Sequence, residues 1–452
     1  MSQGTGRSST AADRLPDAAA RSLDEVARAD LATHGLEYGL VDTSDAVAFA
    51  SWFQAVGRGF LERRLTEEVL GANLAGLATR RTTGVWDGAV PDAAVPVATV
   101  SSWVAPLTMP GGDALAAWAV SAVTVAPTHR RRGIARALMQ GELRTASAAG
   151  VPVAILTASE ATIYGRFGYG AASRIASVEV DRRRAQWIGP RSPGRVDFVE
   201  PAALHPRAAD IDRRAAARTP GEIGRWDYLF DRVLGLNAPD SDRARGVRTV
   251  RYADAEGEAQ GFVAYHLTEV DHGWGDLEVD YFSAATDDAY RALWKFLVEH
   301  DLVGSIRASL RSLDEPLPAL IADSRAIRWT EVSDHLWVRI LDPVRTLGTR
   351  RFSASGRLVL DVSDDLGFAA GRYLLQVDDE GRGSLETLGE TDAAGAGVVR
   401  LGVAQLGSLS LGGFRPSTLA GAGAIEVDSQ ATLALAERMF AAERTPHLSI
   451  WF

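Results

Sequence analysis

The chain has 452 residues, 58 acidic side chains against 48 basic ones, and a formal net charge of −10. That balance argues against a general nucleic-acid binder and tolerates a small cationic partner. The absence of Cys excludes disulfides, thiolate metal sites and a Cys nucleophile, and no apolar run reaches the length of a membrane span.

Such a length predicts about two to four domains, and an apolar content of 46% is ample for packed cores. Lys295 is the only Lys, so in this Arg-rich chain a lone Arg cluster carries less information than usual. The first ~25 residues are rich in Ser, Ala and Asp and lack the apolar centre of a signal peptide; they read as a disordered extension on a cytoplasmic protein. Leu36 to Arg184 reads as one α/β domain. Phe53 to Leu70 is helical in pattern, Val95 to Met109 and Trp118 to Val125 are strand-like, and Gly111-Gly112-Asp113 marks the turn between them. Ile134, Leu138 and Met139 put an apolar face on the next helix, and Val151 to Thr157 reads as a buried strand. Strand, helix, strand in that order implies a parallel pair with a right-handed crossover.

At the centre of this unit lies Val123-Thr-Val-Ala-Pro-Thr-His-Arg-Arg-Arg-Gly-Ile-Ala135. An apolar strand from Ala117 to Val125 runs through a short loop into a helix starting near Arg132. Arg130, Gly133 and Ala135 form the spacing Arg-x-x-Gly-x-Ala. A helix start of this kind aims several backbone N–H groups and the positive end of the helix dipole at one spot, and Gly133 lets an anion approach the backbone closely. A pyrophosphate fits there, although a solvated helix start would also explain the arginines. The second block, Ser159-Glu-Ala-Thr-Ile-Tyr-Gly-Arg-Phe-Gly-Tyr-Gly170, follows a strand whose carboxyl end is where α/β sites form. Tyr164 there is either a neutral phenol able to give up a proton or, with Phe167 and Tyr169, part of a packed core. Gly165, Gly168 and Gly170 imply a contorted loop.

Arg195 to Val338 has the layout of a second α/β unit, with strands at Gly261–Thr268 and Leu277–Ser283 and a helix from Asp287 to His300. It lacks Arg-x-x-Gly-x-Ala, and Asp287 and Asp288 stand where a phosphate would have to bind and would repel it. It is a degenerate copy of the first unit or a chance strand–helix pair. In a third unit from Arg351, strands are expected at Leu358–Val362 and Tyr373–Val377, and Asp428 and Ser429 would cap a helix to about Ala442. The chain ends His447-Leu-Ser-Ile-Trp-Phe452, an apolar and aromatic terminus that suggests burial. His266 and His272 are too far apart for one helix face, so no metal site is expected.

The Arg-x-x-Gly-x-Ala junction resembles the acetyl-CoA site of the GCN5-related N-acetyltransferase superfamily. The junction and the Ser159–Gly170 block together resemble the enhanced intracellular survival (Eis) family of actinobacterial N-acetyltransferases. The resemblance implies two tandem acetyltransferase-like domains, the second degenerate, followed by a sterol-carrier-like α+β domain. The divisions expected are an extension over 1–30, a catalytic domain over 31–190, a degenerate domain over 191–340 and the sterol-carrier-like domain over 341–452. Acetyl-CoA contacts then fall on Val123, Thr124, Val125, Arg130, Arg131, Arg132, Gly133, Ile134, Ala135, Arg136, Ser159 and Glu160. The resemblance makes Tyr164 the proton donor and the C-terminal carboxylate of Phe452 the proton acceptor. An α-carboxylate is ordinarily acidic, near pKa 3.5, so burial beside Leu448, Ile450 and Trp451 must raise it. The resemblance also implies a homohexamer without a metal, acting on amines of aminoglycosides. Protein lysines, metabolic polyamines, or a lipid-binding role regulated by acetyl-CoA are the alternatives. For the acceptor pocket there is no sharp motif; Glu67, Glu68, Asp87 and Asp92 are candidate polyamine contacts or ordinary surface carboxylates.

Overall fold

The computed structural model describes residues 15–268, 275–389 and 395–452. Helix α1 (Glu25–Ala32) is capped by Asp24, whose carboxylate accepts from the Ala27 N–H and from two nitrogens of Arg144 at 2.9 and 2.7 Å. Arg81, buried beneath, donates to the carbonyls of Arg21 and Ser22 at 2.6 and 3.1 Å, and Ala18 and Leu31 join the core. Residues 15–30, expected to be a disordered extension, are therefore ordered. Composition misses this because two arginines from elsewhere in the chain hold a segment with little apolar surface of its own. Residues 1–14 of that expectation lie outside the described residues.

Strand β1 (Leu36–Leu40) precedes α2 (Ala46–Gly59) and α3 (Glu67–Leu77). The expected single helix from Phe53 to Leu70 is two: the chain turns at Leu61 with φ 61°, and Thr66 starts the second helix by accepting from the Val69 N–H. Gly59 ends α2 against β4, where a Cβ would lie 2.4 Å from Thr124. Next come β2 (Arg81–Asp87), β3 (Ala98–Thr108), β4 (Ala114–Val125), α4 (Ile134–Ala148), β5 (Val153–Thr157), α5 (Ala161–Tyr164) and β6 (Gly170–Ala171). The expected parallel pair is β4 and β5, and α4 covers them with Ile134, Leu138 and Met139 buried.

The chain continues with β7 (Arg174–Asp181), which closes the first half, and then β8 (Arg195–Phe198), α6 (Pro201–Ala216), α7 (Asp227–Val233), α8 (Asp242–Gly246), β9 (Arg248–Ala253), β10 (Ala259–Thr268), β11 (Gly275–Ala284), α9 (Asp287–Val298), β12 (Val303–Arg311), β13 (Ile327–Asp334) and β14 (Leu336–Ile340). Among the described residues the first sheet has the order β1-β2-β3-β4-β5-β14-β6 and the second, read from β8, the order β8-β9-β10-β11-β12-β7-β13. The two orders correspond strand for strand, and each sheet takes one strand from the other half of the chain. Linear divisions at 190/191 and 340/341 therefore do not follow the sheets: β7 lies in the second and β14 in the first. The repeat is degenerate where the sequence suggests. Helix α9 is closed by Thr286, whose hydroxyl accepts from the Ala289 N–H at 3.1 Å, and Asp287 and Asp288 fill its first turn.

The third unit runs α10 (Pro343–Thr349), β15 (Gly356–Ser363), β16 (Gly371–Val377), β17 (Gly383–Leu388), β18 (Gly397–Gly402), α11 (Val403–Ser410), α12 (Pro416–Gly421), β19 (Ile425–Val427) and α13 (Gln430–Phe440), its sheet ordered β17-β16-β15-β18-β19. Helix α11 seats this unit on the first sheet at near-backbone contact. A Cβ at Gly407 would lie 2.5 Å from the Val338 carbonyl, and one at Gly170 would lie 1.8 Å from that of Ala404. The Gly170 end of the Ser159 block is thus a packing requirement of the third unit.

Candidate active site

The loop after β4 is shaped by the backbone. Ala126 donates to the Val97 carbonyl at 2.8 Å, Arg131 adopts φ 63° and Gly133, the residue before α4, φ 77°. No side chain caps α4, in contrast to α9. The helix begins at Ile134, two residues later than its expected start near Arg132. Its first N–H groups, together with the left-handed turns at Arg131 and Gly133, form a concave donor set suited to a diphosphate. Arg130, Arg131 and Arg136 are exposed around it, while Ile134 is a core side chain that offers only its backbone. Arg132 is committed elsewhere, to Asp87 at 3.4 Å and to the His34 carbonyl at 3.2 Å. Asp87, a candidate polyamine contact from sequence, is instead a buried clamp for this loop, holding His129 at 3.2 Å as well. Hydrogen bonds from its surroundings, the Ala89 N–H and His129 foremost, hold its carboxyl below the usual range. Glu67, Glu68 and Asp92 are exposed.

Between loop and cavity, β4 and β5 part. Their ladder ends at Ala119 and Ile155, although the strands continue to Val125 and Thr157. The divergence coincides with a bulge in β4, where Ala122 has φ 52° and the register with β3 shifts between Thr99 and Ser101. Because the Ala126 N–H points to the β3 side, strand alternation turns the Val125 and Val123 amides toward the gap. The Thr124 side chain faces the opposite way, 2.7 Å from Thr99 Oγ1. An extended ligand arm can add to this open edge as a strand would.

The gap leads to a cavity of about 410 Å³ lined by Val123, Ser159, Tyr164 and Phe452, with an apolar wall from α2 that includes Trp52, Phe53 and Phe60. Ser159 and Glu160 are exposed at its edge, and α5 carries Tyr164 inward to a buried position. Burial, and then the Glu160 charge, raise the Tyr164 phenol above its ordinary pKa of 10. The loop behind it is locked: the Phe167 carbonyl accepts from Arg339 Nε at 2.7 Å, and Gly168 turns with φ 80°. Phe452 arrives at the same place from the far end of the chain. Thr157 Oγ1, at the end of β5, donates to its carboxylate at 2.9 Å, and its ring packs edge-on to Trp103 at 5.4 Å. Leu448 and Ile450 are buried as expected, whereas Trp451 is 45% exposed.

Residues 45–172 and 221–340 each match the acetyltransferase (GNAT) domain, and 343–449 the sterol carrier protein domain. An N-acetyltransferase of Streptomyces avermitilis is 34% identical over 413 residues, which are 88% of this chain and 94% of that protein. The N-acetyltransferase Eis of Mycobacterium tuberculosis is 34% identical over 347 residues, 75% of this chain and 81% of its own. The chain belongs to the Eis family of N-acetyltransferases. The crystal structure of Eis1 from Mycobacterium abscessus superposes with a TM-score of 0.77 at 28% identity, covering 92% of this chain and all of that one. The two GNAT domains and the sterol-carrier domain of this Eis-family enzyme are therefore the fold the sequence resemblance implies.

Much of the cavity of this Eis-family member has no signal in the sequence. Thr157, Arg80, Trp226 and Arg232, with Trp103 packed against Arg80 behind them, come from five separate elements or loops, and none sits in a motif. The same holds for the clasp on the C-terminal segment. Glu222 accepts from the Ser449 N–H at 3.1 Å, Arg225 donates to Ser449 Oγ at 2.8 Å, and His335 Nε2 lies 2.7 Å from the Ile450 carbonyl. Facing a carbonyl, that nitrogen must carry the imidazole proton. Desolvation pushes His335 down from 6.5 to about 4.

A depressed folded pKa stabilises the fold above the unfolded value and is lost on acidification. The His335 contribution is therefore complete above pH 6.5 and fades toward pH 4, a shift worth about 3 kcal/mol in full. Glu222, held near 2 by Arg225 despite its burial, responds only below its ordinary 4.5. The melting temperature is expected to fall between pH 6.5 and pH 4 in the native protein and to change less there in His335→Gln. Equal slopes in thermal melts of the two proteins would remove His335 from the acid response.

Proposed function

We propose that this protein transfers the acetyl group of acetyl-CoA directly to the amine of a small molecule, with Tyr164 as proton donor and the α-carboxylate of Phe452 as proton acceptor. One observation carries the reading: a protonated phenol and a carboxylate reach the same cavity at the end of β5, where the β4–β5 gap opens. Acetyl-CoA supplies the thioester carbonyl and a thiol leaving group. The uncapped start of α4 from Gly133 to Arg136, with Ala135 and the exposed Arg130 and Arg131, would hold its diphosphate. The backbone of Val123, Thr124 and Val125 would hold its pantetheine arm, with Ser159 and Glu160 at the edge.

An alkyl ammonium is protonated at neutral pH and must lose a proton before it can attack. The Phe452 carboxylate, fixed by Thr157, stands ready to take it. A departing thiolate must gain one, and the raised pKa keeps Tyr164 protonated until then. A Val125 or Val123 amide, free of β5, can stabilise negative charge on the carbonyl oxygen. We infer a cytoplasmic location from the composition of the first residues and a homohexamer from the family resemblance, which also implies aminoglycosides as acceptors, with protein lysines and polyamines sharing the chemistry. A lipid-binding role has no use for the Tyr164–Phe452 meeting.

The test is thiol release from acetyl-CoA by protein with an untagged C-terminus, using kanamycin and simple amines as acceptors. Release well above the rate without acceptor is expected with at least one amine. Intact acetyl-CoA binding with no release for any amine would discard direct transfer.

A further inference from the structure

One wall of the cavity is cationic. Arg80 stacks its guanidinium on Trp103 at 3.6 Å and on Trp226 at 4.6 Å, and the two indoles meet edge-on at 5.6 Å. Its Nη2 is buried with no hydrogen-bond partner among the described residues. The charge acting on Arg80 is that of another cation, Arg232, and desolvation together with that repulsion pushes Arg80 down to about 9. Arg232 lines the same cavity from α7, at a position solvent reaches, and is lowered by desolvation as well. The cavity's anions are Glu62, exposed at the rim, and the Phe452 carboxylate already engaged by Thr157.

Buried guanidiniums in proteins are ordinarily paired or hydrogen-bonded, because desolvating an unpaired charge is costly. Arg80 and Arg232 share this cavity and, among the described residues, neither is paired with a carboxylate, an arrangement that suits an anion, and planar, forked donors match a carboxylate. The same pair repels a polyammonium ion. The remaining wall, with Trp52, Phe53 and Phe60 from α2, suits an apolar or aromatic body. Position matters too. Arg80 rests on Trp103, and Trp103 touches the Phe452 ring, so the cationic wall and the proposed proton acceptor are separated by one indole.

Building on direct acetyl transfer in this cavity, we propose that the acceptor is an amino-acid-like molecule. Its carboxylate is bound by Arg80 and Arg232, its apolar or aromatic body lies on the α2 wall, and its amine reaches Tyr164 and Phe452. This makes polycationic aminoglycosides poor acceptors for this member of the family.

The experiment compares matched amines differing by one carboxylate on the full-length, untagged protein: phenylalanine with phenethylamine, 4-(aminomethyl)benzoate with benzylamine, and kanamycin beside them. In at least one pair the carboxylate member is expected to have a kcat/KM about tenfold to a hundredfold higher, the range for a charge-assisted hydrogen bond. In Arg232→Met that ratio falls toward one, and Arg232→Lys restores part of it. Arg80→Met is the second variant, and Arg232 at the rim is the safer one to fold. A separate arm follows tryptophan fluorescence on titration with N-acetylphenylalanine, which carries the carboxylate but no reactive amine. Saturable quenching, from the cavity-lining Trp52, Trp226 and Trp451, is expected in the native protein and lost in Arg232→Met. Equal rates within both pairs, or a preference for kanamycin, would overturn this proposal and leave acetyl transfer standing. Quenching without turnover of any amine would keep the anion site and discard the transfer chemistry.

Discussion

Adding two glycines after Phe452 is expected to lower turnover by about 10²- to 10⁴-fold, the usual worth of a positioned general base, while the protein stays folded. The extension turns the carboxylate that accepts from Thr157 Oγ1 into a peptide carbonyl, which cannot take a proton. The fold should survive because the anchoring lies upstream. Leu448 and Ile450 are fully buried, and Glu222, Arg225 and His335 grip Ser449 and Ile450. A merely structural role is distinguished by the pH profile. Without the carboxylate the amine must lose its proton to solvent, so residual activity should climb with pH toward the amine's own pKa. Unchanged thermal melting with lost turnover and that steeper profile is the expected set. Full activity in the extended protein would remove Phe452 from proton transfer.

How far the sequence reveals this molecule depends on whether the chemistry is local. The loop proposed to hold the diphosphate is legible because its backbone geometry is written in contiguous residues, with Gly133 in the left-handed region and no capping side chain at α4. The contrast with Thr286, Asp287 and Asp288 is local as well, and the degenerate repeat follows from it. Sheet membership is not local. Nothing in the residues of β7 and β14 says that they change places between the sheets. Asp87, at the end of β2, illustrates the same limit: a lone carboxylate reads as surface until His129 and Arg132 are found against it. The acceptor cavity is the extreme case. Arg80, Trp103, Trp226, Arg232 and Phe452 converge only in the folded chain. In a protein with almost no Lys, two more arginines attract no notice, although here they decide the sign of the cavity wall.

Tyr164→Phe is expected to cut kcat by about 10²- to 10⁴-fold with little change in acetyl-CoA affinity or stability. The substitution removes one hydroxyl and keeps the ring, whose packing against Tyr169 at 6.2 Å and burial beside Phe167 do not need the oxygen. Affinity is expected to be set at the other end of the gap, by the proposed diphosphate site at the start of α4, which the substitution does not touch. The native phenol holds its proton until sulfur departs because burial, then the Glu160 charge, raise its pKa. A departing alkyl thiolate takes that proton as the carbon–sulfur bond breaks, and its need for the proton scales with its basicity. Acetyl thioesters of more acidic thiols should therefore lose less activity in Tyr164→Phe than acetyl-CoA does, and a plot of log kcat against thiol pKa should be steeper for the variant than for the native enzyme. Parallel plots would mean that Tyr164 only packs the cavity, and a variant with native turnover would leave the leaving sulfur to be protonated by another group or by solvent.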